Sequence, residues 1–175
     1  YLIDTDTAVD NDLFLKSAFT VTNAAVKLNG SLSVENNNIT LNGANVKTNK
    51  DITITGGNLS INENSELSCK GKLNISNGNI TVSDNSTLII RKSATLANVN
   101  ISLGNNSKIV FHSKFDISGN SANKITIDTT SALFSKGFIS VDSIGKIITN
   151  GTLIIGSDAT LKNTSITGTG ITELY

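Results

Sequence analysis

The stretch "NITVSDNSTLII", residues 79–90, sets two short runs of alternating apolar and polar residues on either side of a polar turn. Ile80 and Val82 share one face of the first run, and Leu88 and Ile90 share one face of the second, because successive side chains of a strand point to opposite sides. The asparagine-led phrase returns as "NITL" at 38, "NLSI" at 58 and "NISL" at 100, and as "KITI" at 124. With the asparagine as marker, Asn38, Asn58, Asn79, Asn100 and Asn123 follow one another at steps of 20, 21, 21 and 23, Lys124 being inserted after the last.

Each period repeats one plan. The marker is followed by an apolar pair split by a polar residue: Ile39/Leu41, Leu59/Ile61, Ile80/Val82, Ile101/Leu103 and Ile125/Ile127. A second pair follows at Leu67/Cys69, Leu88/Ile90, Ile109/Phe111, Leu133 with Ser135, and Leu153/Ile155; a third closes the period at Leu73/Ile75, Phe115/Ile117 and Ile139/Val141. A unit of three four-residue strands cannot bury its apolar face alone, so it must stack on copies of itself. The predicted fold is all-β, a right-handed parallel β-helix (β-solenoid) with three short strands per coil. It has about 20–23 residues per coil and roughly seven to eight coils, a rod of about 40 Å at the 4.8 Å strand spacing. An antiparallel sandwich also has short, regularly spaced strands, but it does not return Asn, Ser/Thr and Gly at matching phases.

Composition agrees with a polar-faced β protein. Asn, Ser and Thr supply 66 of 175 residues, and Pro, Met and Trp are absent. These three residue types compete with the backbone for hydrogen bonds inside helices and favour strands and turns. The regular return of Ile, Leu and Val separates the chain from polar disorder. With 14 basic and 14 acidic side chains the net charge is zero, so no global field draws nucleic acid or an anionic membrane. No apolar run is long enough to span a membrane, no charged-then-apolar leader is present, and the first residue is Tyr1; the chain reads as an excised piece of something longer. The lone Cys69 cannot form an internal disulfide.

Residues 1–20 are expected to form an N-terminal cap or linker, and residues 21–175 the β-helix. "DTDTAVDND" (4–12) holds four of the acids but lacks the glycine and distal glutamate of a helix-flanked calcium loop, so a solvated cap is expected. The following "LFLKSAF" is expected to seal the first coil, since an open solenoid end exposes core and unpaired strand edges.

The coils "NLSINENSELSCKGKLNISNG" (58–78), "NITVSDNSTLIIRKSATLANV" (79–99) and "NISLGNNSKIVFHSKFDISGNSA" (100–122) resemble the stalk of large secreted bacterial adhesins of the filamentous-haemagglutinin and autotransporter-passenger type. The resemblance covers roughly residues 21–170 and concerns architecture, because β-helices also serve phage tailspikes and polysaccharide lyases. Asn-Pro secretion-domain motifs are absent. The resemblance implies a cell-surface or extracellular location, neighbouring β-helix coils in a longer parent chain, and a role in adhesion or as a spacer.

Aligning the second strands gives the most specific surface expectation. The residue between the two inward positions is Ser68, Ile89, Val110, Phe134 and Ile154 in successive coils, an apolar file where polar residues are expected. Two residues on come Lys70, Arg91, His112 and Lys136, with Lys72, Lys92 and Lys114 nearby. Such adjoining files suit an anionic glycan or a protein receptor. Cover by another part of the parent chain and plain solubilisation are the competing explanations. Asn-x-Ser/Thr occurs at ten positions, of which Asn85, Asn105 and Asn150 fall in turns and are the candidate glycosylation sites.

No enzymatic constellation is expected. His112 is the sole histidine and Arg91 the sole arginine, while Asp84, Asp116, Asp128, Asp142 and Asp158 share no phase. No Cys/His ligand set or phosphate loop occurs, so neither metal nor cofactor is expected. The favoured reading is an extracellular structural or adhesive segment. The alternative is a non-catalytic carbohydrate-binding or ice-binding solenoid, for which Thr40, Ser60, Thr81, Ser102 and Thr126 supply one hydroxyl file where a flat double file is required.

Overall fold

The computed structural model describes all residues 1–175 and contains strands and no helix. All strand pairs are parallel, and the chain winds as a β-solenoid of about eight turns with roughly 21 residues per turn. Each complete winding contributes one strand to each of three faces. In the second winding these are Phe19–Thr22, Ala25–Leu28 and Leu32–Glu35. In the fifth they are the end of Leu73–Val82, then Thr87–Ile90, then the start of Ala94–Leu103.

Stacking is in register throughout. On the first face Phe19, Ile39, Leu59, Ile80, Ile101, Ile125 and Ile147 lie one over the next. The inward files of all three faces join into one core of 42 buried residues, in which the Phe111 and Phe115 rings stack with centroids 4.1 Å apart. Cys69 lies in this core as a small apolar side chain, in file with Thr48 and Ile90; burial raises its thiol pKa. The polar members of the inward files are satisfied locally: Thr48 and Ser135 hydroxyls donate to the carbonyls of Lys50 and Gly137, two residues on at the adjoining corner.

The marker asparagines form a ladder. Asn79 donates its backbone N–H and its side-chain amide to Asn58 Oδ1 (2.9 and 2.8 Å), and Asn100 Nδ2 donates to Asn79 Oδ1 (2.9 Å). The next rung corrects the expected marker. Lys124, not Asn123, occupies the file, its N–H donating to Asn100 Oδ1 at 3.0 Å. Asn123 is instead buried one residue earlier and accepts the Asn120 N–H, because the five residues Gly119–Asn123 bulge at that corner and consume the extra length.

A second ladder runs inside the corner between the first and second faces. Ser65, Ser86, Ser107 and Ser131 are buried, and Ser65 and Ser86 oxygens accept N–H groups from the winding before (3.0 and 3.2 Å). The residue ahead of each of the first three, Asn64, Asn85 and Asn106, has positive φ. Asparagine tolerates that conformation better than most residues. In earlier windings this corner is shorter and carries Ala24 and Ala44 at the equivalent buried site, so the step grows from 20 to 21 residues where the serines begin.

Residues 2–15 form a winding of the same plan, with Leu2–Ile3, Thr7–Val9 and Leu13–Leu15 pairing in parallel with the second winding. Three acids of this segment cap their neighbours: Asp6 accepts the Ala25 N–H, Asp10 the Asn29 amide and Asp12 the Ser31 N–H. The Ser31 hydrogen bond lowers the Asp12 pKa. Phe14 does not seal the coil. Alternation turns Leu13 and Leu15 inward and sends Phe14 outward, 77% exposed.

Leu88→Ala, which empties a fully buried site in the central windings, is expected to lower the unfolding free energy by about 3 kcal/mol, and Asn79→Ala by about 1 kcal/mol. Gly78→Ala is expected to be worse tolerated than Asn79→Ala, because its Cβ would run into the Gly57 carbonyl oxygen. Urea unfolding measures all three; a Leu88→Ala loss no larger than that of Asn79→Ala contradicts the stacked core.

Candidate functional site

The four side chains predicted to stand in file, Lys70, Arg91, His112 and Lys136, do so. Each follows the last residue of a second-face strand, and each backbone N–H donates to the winding below: Lys70 to Thr48, Arg91 to Cys69, His112 to Ile90 and Lys136 to Phe111, all at 2.8–2.9 Å. In the preceding windings the same file is a hydrogen-bonded ladder that ends on an acid, Asn49 Nδ2 donating to Asn29 Oδ1 and Asn29 Nδ2 to Asp10 Oδ1. Amides stack favourably because each donates to the next, whereas stacked cations repel by roughly 1 kcal/mol per pair at 4 Å in water. The change at Lys70 therefore replaces an attractive file with a repulsive one.

Lys72, Lys92 and Lys114 occupy the same corner, between the second and third faces. Six cations and His112 thus cover four consecutive windings, over about 14 Å of the axis. Lys114 pairs with Asp116 at 2.9 Å, while Lys70, Lys72, Arg91, Lys92 and Lys136 have no ion-pair partner. The His112 pKa is lowered, first by partial desolvation and then by the Lys136 and Arg91 charges.

The apolar file is equally in register, Ser68, Ile89, Val110, Phe134 and Ile154 lying one over the next. It is not an open patch. Val110 is only 7% exposed, none of the others is fully exposed, and the Lys108 ammonium lies 4.7 Å from the Phe134 ring centroid. The four side chains mostly cover one another, a ladder of apolar contacts on the outer surface. The file continues into Lys47 and Lys27 on one side and Glu173 on the other.

Thr40, Ser60, Thr81, Ser102 and Thr126 also align, and Ile148 interrupts the file in the next winding. Asn85 and Asn105 are exposed at the corner between first and second faces, away from the cations. Asn85 Oδ1 accepts the Asn106 amide, the Ser107 hydroxyl of the Asn105 motif is buried, and Asn150 Oδ1 accepts the Thr169 N–H. The first-winding acids and the scattered aspartates do not converge into a group able to hold a metal ion.

The buried serine file escaped the sequence reading, although its signal is present: "NSEL", "NSTL" and "NSKI" precede successive second-face strands at a constant phase. The third face also carries features that the reading passed over, with two outward files of small polar residues. Fold and surface together define a β-solenoid with one cationic corner. Comparison with protein-family models, curated proteins and solved structures gave no match.

Replacing Arg91 and Lys136 by alanine is expected to raise the His112 pKa toward the ordinary imidazole range near 6.5, as read by NMR titration of the ring. In the unsubstituted chain the folded-state pKa lies below the unfolded one, so His112's contribution to stability is complete above the unfolded pKa and is lost as pH falls toward the folded pKa. Unfolding free energies measured across that window are expected to fall more for the wild type than for His112→Asn; identical profiles contradict this.

Proposed function

We propose that the chain is a rigid, non-catalytic segment of a bacterial surface protein, exposed outside the cell, that adheres to an anionic polymer along its cationic corner. One observation carries the reading: five unpaired cations, Lys70, Lys72, Arg91, Lys92 and Lys136, stand on four consecutive windings although the molecule has no net charge. Stacking them costs repulsion that the asparagine ladder at the same position avoids, and a polyanion offsets it. The corner is straight and steps by about 4.8 Å. An extended pyranose unit is about as long as one such step, so a sulfated or carboxylated linear glycan can present charge in time with the windings. The Ile89–Val110–Phe134–Ile154 file lies beside the cations and stiffens the strands that carry them.

A rod of parallel windings also serves as a spacer, and the two roles are compatible: the core sets length while the corner sets contact. Neighbouring coils of a longer parent chain would extend the same files.

On an immobilised heparin-like glycan the chain is expected to be retained at low ionic strength and released by salt, because exposed charge contacts are screened within about 10 Å at 0.1 M. Lys70→Ala/Arg91→Ala/Lys136→Ala should weaken binding on the order of a hundredfold, taking roughly 1 kcal/mol per cation. Lys70→Arg/Lys136→Arg should preserve it. No retention of the wild-type chain at low salt, or equal retention of the triple variant, overturns the proposal.

A further inference from the structure

The third face presents a surface of different chemistry, independent of the cationic corner. Its outward side chains form two files that run along the axis. One contains Ser33, Thr53, Asn74 and Thr95, the other Glu35, Thr55, Ser76 and Ala97. The files are two residues apart on each strand, about 7 Å. Because their members are small, the space between them is a trough: depressions of about 270 and 150 Å³ share Thr53 and Thr55 and so run into one another. Phe14 stands in register with Ser33 at one end, 77% exposed. From Phe14 to Thr95 the trough spans about 19 Å.

Two observations indicate what such a trough takes. The polar side chains of the corners are consumed in ladders, as with Asn62 on Asn42 and Asn98 on Asn77. By contrast, the Thr53, Thr55, Ser76 and Thr95 hydroxyls and the Asn74 amide bond to no protein group, leaving their donors and acceptors turned outward. Within the trough the backbone offers nothing to an incoming chain, since the strands that carry Ser33, Thr53, Asn74 and Thr95 already pair with windings on both sides. Only Leu13–Leu15 leaves an edge, and a peptide adding there as a strand would run parallel to the strands, across the end of the trough and not along it.

The ligand must be extended, rich in hydroxyls and equipped with an apolar flat face for the phenylalanine ring. It is also uncharged, because Lys16 and Glu35 carry opposite charges at one end and Asp116, in file with Thr95 at the other, is paired with Lys114. A flat ice-binding array does not fit a concave surface interrupted by Glu35, Asn74 and Ala97. We propose that the third-face trough binds a neutral, linear, β-linked oligosaccharide lying along the solenoid axis. Phe14 stacks on one sugar ring, and Thr53, Thr55, Asn74 and Thr95 hydrogen-bond the hydroxyls of the others. Aromatic platforms with a few convergent polar groups are the usual makeup of small-ligand sites.

The test titrates isotope-labelled chain with short, soluble β-linked oligosaccharides of glucose, N-acetylglucosamine, mannose and xylose, and follows the amide spectrum. Saturable shifts confined to the third face between Phe14 and Thr95 are expected with at least one of them. Phe14→Ala and Thr53→Val/Thr55→Val should each raise Kd at least tenfold while leaving the remaining amide spectrum unchanged, since all three side chains face outward. The triple variant of the cationic corner should bind the sugar as the wild type does, which separates this site from the anionic-polymer reading. No saturable shift with any of the four sugars, shifts centred on residues 70–72 and 91–92, or unaltered affinity in both trough variants would each overturn the proposal.

Discussion

Every property of this molecule follows from one constraint, that each residue lies directly over its counterpart in the winding below. Parallel backbone pairing imposes it, and a slip of one residue would turn every side chain of a strand to the wrong face. A side chain's stability is thus decided by what it meets one period away. Apolar residues in file build a continuous core without any single winding having a core of its own. Asparagines in file bond to one another; cations in file repel. The same stacking rule makes Asn58, Asn79 and Asn100 a scaffold and makes Lys70, Arg91 and Lys136 a site of unfavourable charge that a polyanion can relieve.

The constraint binds the strands but not the corners. Strand positions stay aligned while the step changes from 20 to 21 and then to 24 residues, because the corners absorb the difference. They do so with residues that accept positive φ: Asn36, Gly56, Asn77 and Asn98 succeed one another where the third face turns into the first. Buried polar atoms at the corners find partners within the corner or in the adjacent winding, and no buried side-chain nitrogen or oxygen is left without a partner. Much of the asparagine and serine in the composition is accounted for in this way, before any ligand is considered.

Legibility followed the same division. The inward pairs, the cationic file and the apolar file could all be read from the sequence, because in a solenoid phase along the chain becomes position on a surface. Local exceptions were harder. Asn123 looked like the marker because it is an asparagine at nearly the right step, and only the Gly119–Asn123 bulge shows that Lys124 takes its place. The first winding was obscured by its acids, which resemble a solvated cap but bond to winding two. The burial of Val110 between the half-exposed Ile89 and Phe134 depends on how far each side chain leans on the next, which alternation alone does not specify. The trough on the third face depends on the smallness of two files at once, a property of no single strand.

The central claim is that windings advance by one strand spacing with like positions superposed. Pulsed electron resonance on a Cys69→Ala chain, spin-labelled at Lys27 together with Ile89, Phe134 or Glu173, measures this directly, because these positions lie in one file three, five and seven windings apart. Stacking predicts distances that grow in proportion, to about 14, 24 and 34 Å. Distances that fail to increase in that order, or that cluster at one compact value, would contradict the solenoid and every surface assignment built on it.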